Sequence, residues 1–325
     1  MARIALIHDI AGVAQIQAKI LRSAGHEVDQ ISLSQIGATW EYPAKAITIP
    51  IRLIAYLPAI WRLRRGPYDV IHIHWLTPGI VGLGAGKPFF VQAHGSDLHL
   101  NLRNGLLRWL THWILRKAKV AFYVTPNLLS YLAGFEAKSR YLPNPVDVNE
   151  MAPASTSPTT VSKVLVFTRI DPVKGVDVIF PAAATLSQGF DVTALDWGPL
   201  AREYVRRYSG SVKFVPRVPH DMIGSFLQRF DVVVGQMRQG ILSLMEIEAM
   251  AAGRPLITGI DATLYADDPP PVIAAHDSDA IVAAVEKLRN DSVEIARLSN
   301  EGREWVCRNH GYAHHLEILE KAYFG

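Results

Sequence analysis

Three stretches of the chain place reactive side chains where chemistry is possible. In KVLVFTRIDPVKGVDVIF (163–180) a strand-like run ends near Thr168 and a helical pattern begins near Val176, with Arg169 and Lys174 in the connection. A cation just before a helix opposes the positive end of the helix dipole, so Lys174 is not there for helix stability. Two cations beside a helix N-terminus suit a phosphate or diphosphate; two solvated loop cations are the plain alternative. In GILSLMEIEAMAAGRPLITG (240–259), Glu248 lies within a stripe of Ile241, Leu244, Met245, Ala251 and Ala252, taken at about 100° per residue. A buried carboxylate needs a partner: a ligand's hydroxyl pair, an internal arginine or a backbone amide. Glu246 points about 160° away from it, so the two carboxylates do not form a dyad. In QAHGSDLHL (92–100), His94 ends a strand immediately before Gly95. Strand ends are where open α/β sheets bind ligands. His94 is therefore either site machinery or a hydrogen-bonded core residue, and Asp97 either a site residue or the cap of the next helix.

Other groupings carry less. The first strand ends in His8-Asp9 and is followed by Gly12 alone, so the G-x-G-x-x-G fingerprint is missing and nicotinamide or flavin chemistry is disfavoured. Gly12 serves either a ligand's close approach or a tight turn. His72 and His74 share one face of a strand ending at Trp75, but no third metal ligand accompanies them. Asp277 and Asp279 read as the N-cap region of a helix over 280–289. Cys307 is the only cysteine, which excludes an intrachain disulfide and a cysteine metal cluster.

The elements that must position these residues alternate along the chain. Strands are expected at 3–8, 27–32, 70–75, 89–93, 120–124, 164–168, 191–197, 212–216, 231–235 and 255–259. Helical patterns fall between them, at 13–24, 102–117, 176–188, 220–229 and 241–252. Nearly continuous apolar strands imply sheets covered on both faces and mainly parallel. A (β/α)8 barrel and two doubly wound domains both fit. The Ser/Thr/Pro-rich segment 151–163, at the middle of the chain, favours two Rossmann-like halves facing a cleft.

With 325 residues, 49% of them apolar and 19% charged, the chain has enough apolar sequence for two cores and is not disordered. The longest uncharged runs, 70–86 and 120–135, are too short for a spanning helix. The apolar stretch after Met1 is too short for a secretory leader, so a cytoplasmic chain is expected. The net charge of +3 hides +7 in residues 1–160 and −4 in 161–325. The excess clusters at Arg52, Arg62, Arg64 and Arg65, and from Arg103 to Lys119, with no acidic residue from Leu98 to Phe135. Such clusters attract anionic surfaces or ligands, or are simply solvated helix faces. Leu106, Leu107, Leu110, Trp113 and Ile114 recur at helical spacing and read as core packing.

Eight segments, in this order, resemble a retaining glycosyltransferase of the GT-B fold, glycosyltransferase family 4 (group 1). GHEV (25–28), DVIHIHW (69–75), HGSDL (94–98) and YLPNPVD (141–147) carry the resemblance in the first half. TRIDPVKG (168–175), DWGPL (196–200), FVPRVP (214–219) and EAMAAGRPLIT (248–258) carry it in the second. The resemblance implies an acceptor-side domain over 1–150, a linker over 151–163 and a nucleotide-sugar domain over 164–309. A last segment, 310–325, is expected to return to the first domain. By the same resemblance, Arg169 and Lys174 hold the donor diphosphate and Glu248 binds the ribose hydroxyls, while His94 approaches the transferred sugar. Gly12, Gly198, Pro199, Arg217, Val218 and the stretch Gly240, Ile241, Leu242, Ser243 and Leu244 fall on the donor side. Trp75 and Asp97 fall on the acceptor side.

No metal and no cofactor beyond the nucleotide sugar, a UDP- or GDP-sugar, is expected. The acceptor would be a small molecule or lipid-linked, nucleic acid is not expected as a partner, and membrane contact would be at most peripheral, at the inner face. One departure stands out: Gly240 occupies the position where the family commonly has a second glutamate. A sugar-nucleotide epimerase and a non-catalytic sugar-nucleotide-binding subunit are the rival readings.

Overall fold

Short apolar runs between turn residues form two six-stranded parallel sheets. The computed structural model describes residues 1–10, 12–36, 44–151 and 158–325, so the centre of the expected linker lies outside the described residues. Contacts divide the chain into two units: residues 1–145 with 315–325, and residues 146–314.

The first unit runs β1 (Arg3–Ile7), α1 (Val13–Ser23), β2 (Glu27–Ile31), α2 (Ala44–Ala55), α3 (Leu57–Arg65) and β3 (Val70–His74). It continues through α4 (Ile80–Ala85), β4 (Phe90–Ala93), α5 (Ser96–Asn101), α6 (Gly105–Lys117), β5 (Val120–Tyr123) and β6 (Ser139–Tyr141). The strand order is β2-β1-β3-β4-β5-β6. Every residue of β3 is buried, as its unbroken apolar and imidazole run requires of a strand covered on both faces. The pattern over 102–117 divides at Asn104: α6 starts only at Gly105, because Asn104 caps it by accepting from the Leu106 and Leu107 amides at 3.1 and 3.2 Å. The apolar stripe of α6 also divides. Ile114 is buried and Leu107 and Leu110 are half-buried, whereas Leu106 and Trp113 face outward, so the expected core stripe is only partly core.

The second unit runs β7 (Lys163–Val166), α7 (Val176–Leu186), β8 (Asp191–Leu195), α8 (Ala201–Tyr208), β9 (Lys213–Val215) and α9 (Ile223–Leu227). Then come β10 (Val232–Val234), α10 (Leu244–Ala251), β11 (Leu256–Thr258), β12 (Ile273–Ala274), α11 (Ser278–Leu288) and α12 (Ser292–His310). The strand order β9-β8-β7-β10-β11-β12 is that of a Rossmann sheet. α10 starts three residues later than its apolar pattern suggested, because Ile241 and Leu242 are buried in a non-helical approach to the Ser243 N-cap. Asp277 caps α11 by accepting from the Ala280 amide at 2.8 Å.

The boundary drawn at residue 150 falls, by contacts, between Pro145 and Val146. Val146 and Met151 bury their side chains with Leu165 and Phe167, and the Val146 amide donates to the His310 carbonyl at 2.9 Å. The last helix, α13 (Tyr312–Phe324), returns to the first unit from His315 onward. Its Leu319 and Tyr323 complete a core with Ile4, Leu6, Phe90 and Phe122.

Candidate functional site

In the second unit the connections reverse direction between β7 and β10, and such a switch point opens a crevice at the strand ends. Arg169 and Lys174 follow β7. Asp171 shapes their loop, accepting from the Val173 amide at 3.1 Å and from the Arg169 guanidinium at 2.5 Å. Gly175, at φ 76°, then turns the chain into α7. The Lys174 ammonium donates to Gln239 Oε1 at 2.5 Å, and its carbonyl accepts from the Met237 amide at 2.9 Å. Burial pulls the Lys174 pKa down; the Glu246 carboxylate opposes that, and the Arg169 charge adds to it. The paired cations expected from spacing are thus close enough to feel each other, and Lys174 is half-buried rather than solvated.

The loop after β10 is held by residues that the motifs did not single out. Buried Gln236 accepts from the Arg238 and Gln239 amides at 3.0 and 2.7 Å and donates to the Ile241 carbonyl at 2.7 Å. Fully buried Glu246 accepts from the Gln236 amide at 3.0 Å, from the Ser243 amide at 2.8 Å and from the Thr258 hydroxyl. Its burial pushes its pKa up against those hydrogen bonds and the Lys174 charge. Glu246 is therefore the knot that seats α10, a role visible only once β10 and β11 flank it.

Glu248, also buried, meets neither an arginine nor a backbone amide among the described residues: its Oε1 lies 3.0 Å from His220 Nε2. That hydrogen bond is the main cause of the raised His220 pKa. The remaining candidates contribute unequally. The Leu242 amide donates to the Tyr265 hydroxyl at 2.9 Å and the Ser243 amide to Glu246, so neither is free for an anion. The Leu244 and Met245 amides are the ones the helix itself leaves without carbonyl partners. Arg217 is exposed and sits 4.8 Å over the Trp197 ring, and half-buried Val218 packs against the core. Gly198 has φ 127°, and a Cβ there would collide with the Ile170 backbone, which explains why DWGPL carries glycine. Pro199 is exposed next to it.

Gly240 has φ 67°, and a Cβ would meet the Asp261 Cβ at 3.1 Å. A glutamate therefore does not fit this backbone without strain, and Gln239 is the residue that turns its amide to Lys174. Gly240→Glu is expected to lower stability by about 1–2 kcal/mol without raising turnover. Urea unfolding and a turnover assay check this; an unchanged midpoint would show that the loop tolerates the side chain.

In the first unit the corresponding reversal lies between β1 and β3. The residues ending these strands, His8 and Trp75, both have positive φ, 66° and 73°. For bulky residues this is uncommon and marks a site whose backbone is held by its surroundings. Gly12, at φ 80°, caps α1 and has open space where a Cβ would point. His94 stacks with Trp75, ring centroids 6.4 Å apart, and its Nε2 lies 3.2 Å from His74 Nδ1. Burial brings its pKa down to about 3, with His8 adding to the shift, so the ring is neutral near pH 7.

Asp97 faces backbone amides. It is fully buried and accepts from the Leu76, His94, Gly95 and Leu98 amides at 3.0–3.1 Å, binding the Trp75 loop to the His94 loop. Its burial nevertheless outweighs those amides and pushes its pKa up to about 6. Asp97 is a positioning residue.

His72 and His74 stack at 4.9 Å on the sheet face covered by α1 and α13. His72 Nε2 lies 3.0 Å from Gln92 Oε1, which also accepts from Gln17 at 2.9 Å; Gln17 in turn lies 3.0 Å from His315. Of these two histidines, His72 is thus part of a buried hydrogen-bond chain, while His74 meets His94. The pairings of Gln236 with Glu246, of His220 with Glu248 and of Gln17 with His315 join positions from ten to nearly three hundred apart, so no local spacing reveals them.

Residues 11–145 match the family described as glycosyl transferase 4-like domain, and residues 162–291 match glycosyl transferases group 1. No curated protein matches the chain. Among solved structures it is similar to a sucrose-phosphate synthase from Thermosynechococcus elongatus, at 18% identity and a TM-score of 0.76 over 99% of this chain and 98% of that one. It is also similar to HepE from Anabaena in complex with UDP-glucose, at 13% identity and a TM-score of 0.71 over 99% of each chain. AviGT4, a glycosyltransferase involved in avilamycin A biosynthesis, aligns at 17% identity and a TM-score of 0.62 over 99% of this chain and 97% of that one. The two family matches between them span most of the chain, the sheets have the GT-B strand pattern, and the chain belongs to the group 1 glycosyltransferases.

Proposed function

We propose that this glycosyltransferase moves a hexose from a UDP- or GDP-sugar to an acceptor hydroxyl, with retention of anomeric configuration and without a metal ion. The observation that carries this reading is the loop pair at the β7–β10 reversal, which joins half-buried Lys174, with the Arg169 charge near it, to the loop that leads into α10. Breaking the bond from the anomeric carbon to the diphosphate leaves negative charge on the departing phosphate and positive charge on the sugar. Arg169, Lys174 and the Leu244 and Met245 amides would stabilise the first. The acceptor oxygen then bonds to the anomeric carbon on the face the diphosphate leaves, and its proton passes to the departing phosphate oxygen. Neutral His94 would contact the transferred sugar, and Glu248 the ribose hydroxyls once His220 yields one oxygen. That HepE is seen in complex with UDP-glucose supports the donor class.

The test is a panel of UDP- and GDP-hexoses with a pooled set of small and lipid-linked acceptor alcohols, with and without EDTA, followed by released nucleoside diphosphate and anomeric NMR. Acceptor-dependent release that survives EDTA and gives a retained anomer is expected. Inversion, strict metal dependence or epimerisation of the donor without transfer would overturn the reading.

A further inference from the structure

Two helical stretches of the first unit carry one surface pattern. In α6, Leu106, Trp109 and Trp113 stand at i, i+3 and i+7, followed by Arg116 and Lys117 at i+10 and i+11. From the end of α2 through α3, Ile54, Leu57 and Trp61 stand at the same offsets, followed by Arg64 and Arg65. The helical path is continuous there: the Tyr56 amide donates to the Arg52 carbonyl and the Ile60 amide to the Tyr56 carbonyl, each at 3.0 Å. Each set of five falls within an arc of about 100°.

All six apolar side chains are exposed: Ile54 66%, Leu57 56%, Trp61 59%, Leu106 73%, Trp109 58% and Trp113 38%. The opposite sides of these helices bury Ala59, Leu63, Ile114 and Leu115 in one core, on either side of α4. Both stripes therefore turn away from the same layer. Isolated surface apolar residues need no explanation, but two repeated stripes with three tryptophans do.

The charge along both segments has one sign. No acidic residue occurs from residue 42 to 68 or from 98 to 135, and each segment carries five cations. Arg65 lies 4.8 Å over the Trp61 ring, so on this stripe the cation and the aromatic ring share one location. Tryptophan belongs at a membrane–water interface, aliphatic side chains insert beside it, and lysine and arginine reach the headgroup phosphates. We propose that these two stripes dock the first unit on an anionic lipid bilayer. A second copy of the chain is disfavoured as occupant, since it would bring the same cations face to face. No described helix is long and apolar enough to cross a membrane, so docking would be from one side. The inference does not depend on the transfer reaction.

Cosedimentation of the full chain with vesicles of phosphatidylcholine, alone or mixed equally with phosphatidylglycerol, tests it. Binding to the mixed vesicles is expected to weaken by about fivefold for each cation removed in Arg64→Gln, Arg65→Gln, Arg116→Gln and Lys117→Gln. A remainder should persist at high salt and fall by about tenfold or more in the Trp61→Ser/Trp109→Ser/Trp113→Ser variant. These positions are exposed, and circular dichroism confirms that the variants stay folded. No binding to the mixed vesicles at low salt, or unchanged binding by both sets of variants, would overturn the proposal. So would light scattering that shows a dimer dispersed by the tryptophan variant, or binding to polyglutamate without binding to vesicles.

Discussion

Arg169→Ala and Lys174→Ala are each expected to lower turnover by about 10²–10³-fold, the usual loss when one donor to a developing negative charge is removed. The two positions should not respond alike to conservative change. Arg169 is exposed and held by Asp171, so Arg169→Lys keeps a charge but loses the fork that grips two phosphate oxygens. Lys174 is half-buried between Gln239 and the Glu246 side of the loop, and a bulkier guanidinium has to displace Gln239. Lys174→Arg should therefore recover little. The measurement is steady-state turnover against donor concentration, with circular dichroism to confirm folding. Because the cations act on charge that grows as the diphosphate leaves, the loss should fall mainly on kcat rather than on KM. Wild-type turnover in both alanine variants would remove the diphosphate site from the β7–α7 loop.

Tyr323→Ala is expected to destabilise the first unit by about 3–5 kcal/mol, the range for deleting a large buried ring. Its ring meets Phe90 edge-on at a centroid distance of 4.9 Å, and its hydroxyl lies 2.6 Å from His72 Nδ1. Burial brings the His72 pKa down to about 3, so the ring is neutral, and Tyr323, whose own pKa burial raises, keeps its proton. The hydroxyl therefore donates to Nδ1, which leaves His72 Nε2–H to donate to Gln92 Oε1. Tyr323→Phe keeps the ring and removes only the donor, at about 1–3 kcal/mol for the unpaired buried acceptor. Hydrogen exchange of the β1, β3 and β4 amides across a urea series separates this unit from the other. If exchange in these strands were unchanged in Tyr323→Ala, α13 would be a surface appendage and not part of the first core.

The sequence by itself determined the alternation of strand and helix, and with it two parallel sheets, because strands covered on both faces are apolar without a break. It also determined which loops hold the cations: a lysine placed against a helix dipole stands out without any coordinates. Surface and core were harder to tell apart. The α6 stripe reads as core because spacing reports which residues share a face but not whether anything covers it, and the neighbours of α6 come from α4 and α5. The short strands β6 and β12 have too few apolar residues to be visible alone and exist because a neighbouring strand offers its edge. The partner of Glu248 was likewise out of reach: His220 is 28 positions away, on the turn before α9, whose place is set by packing in the same core as α10. Tertiary structure alone decided that Asp97 faces amides, that a glutamate at Gly240 would be strained and that Gln239 meets Lys174. Each depends on backbone donors and φ angles fixed by packing, and a residue's type reveals neither.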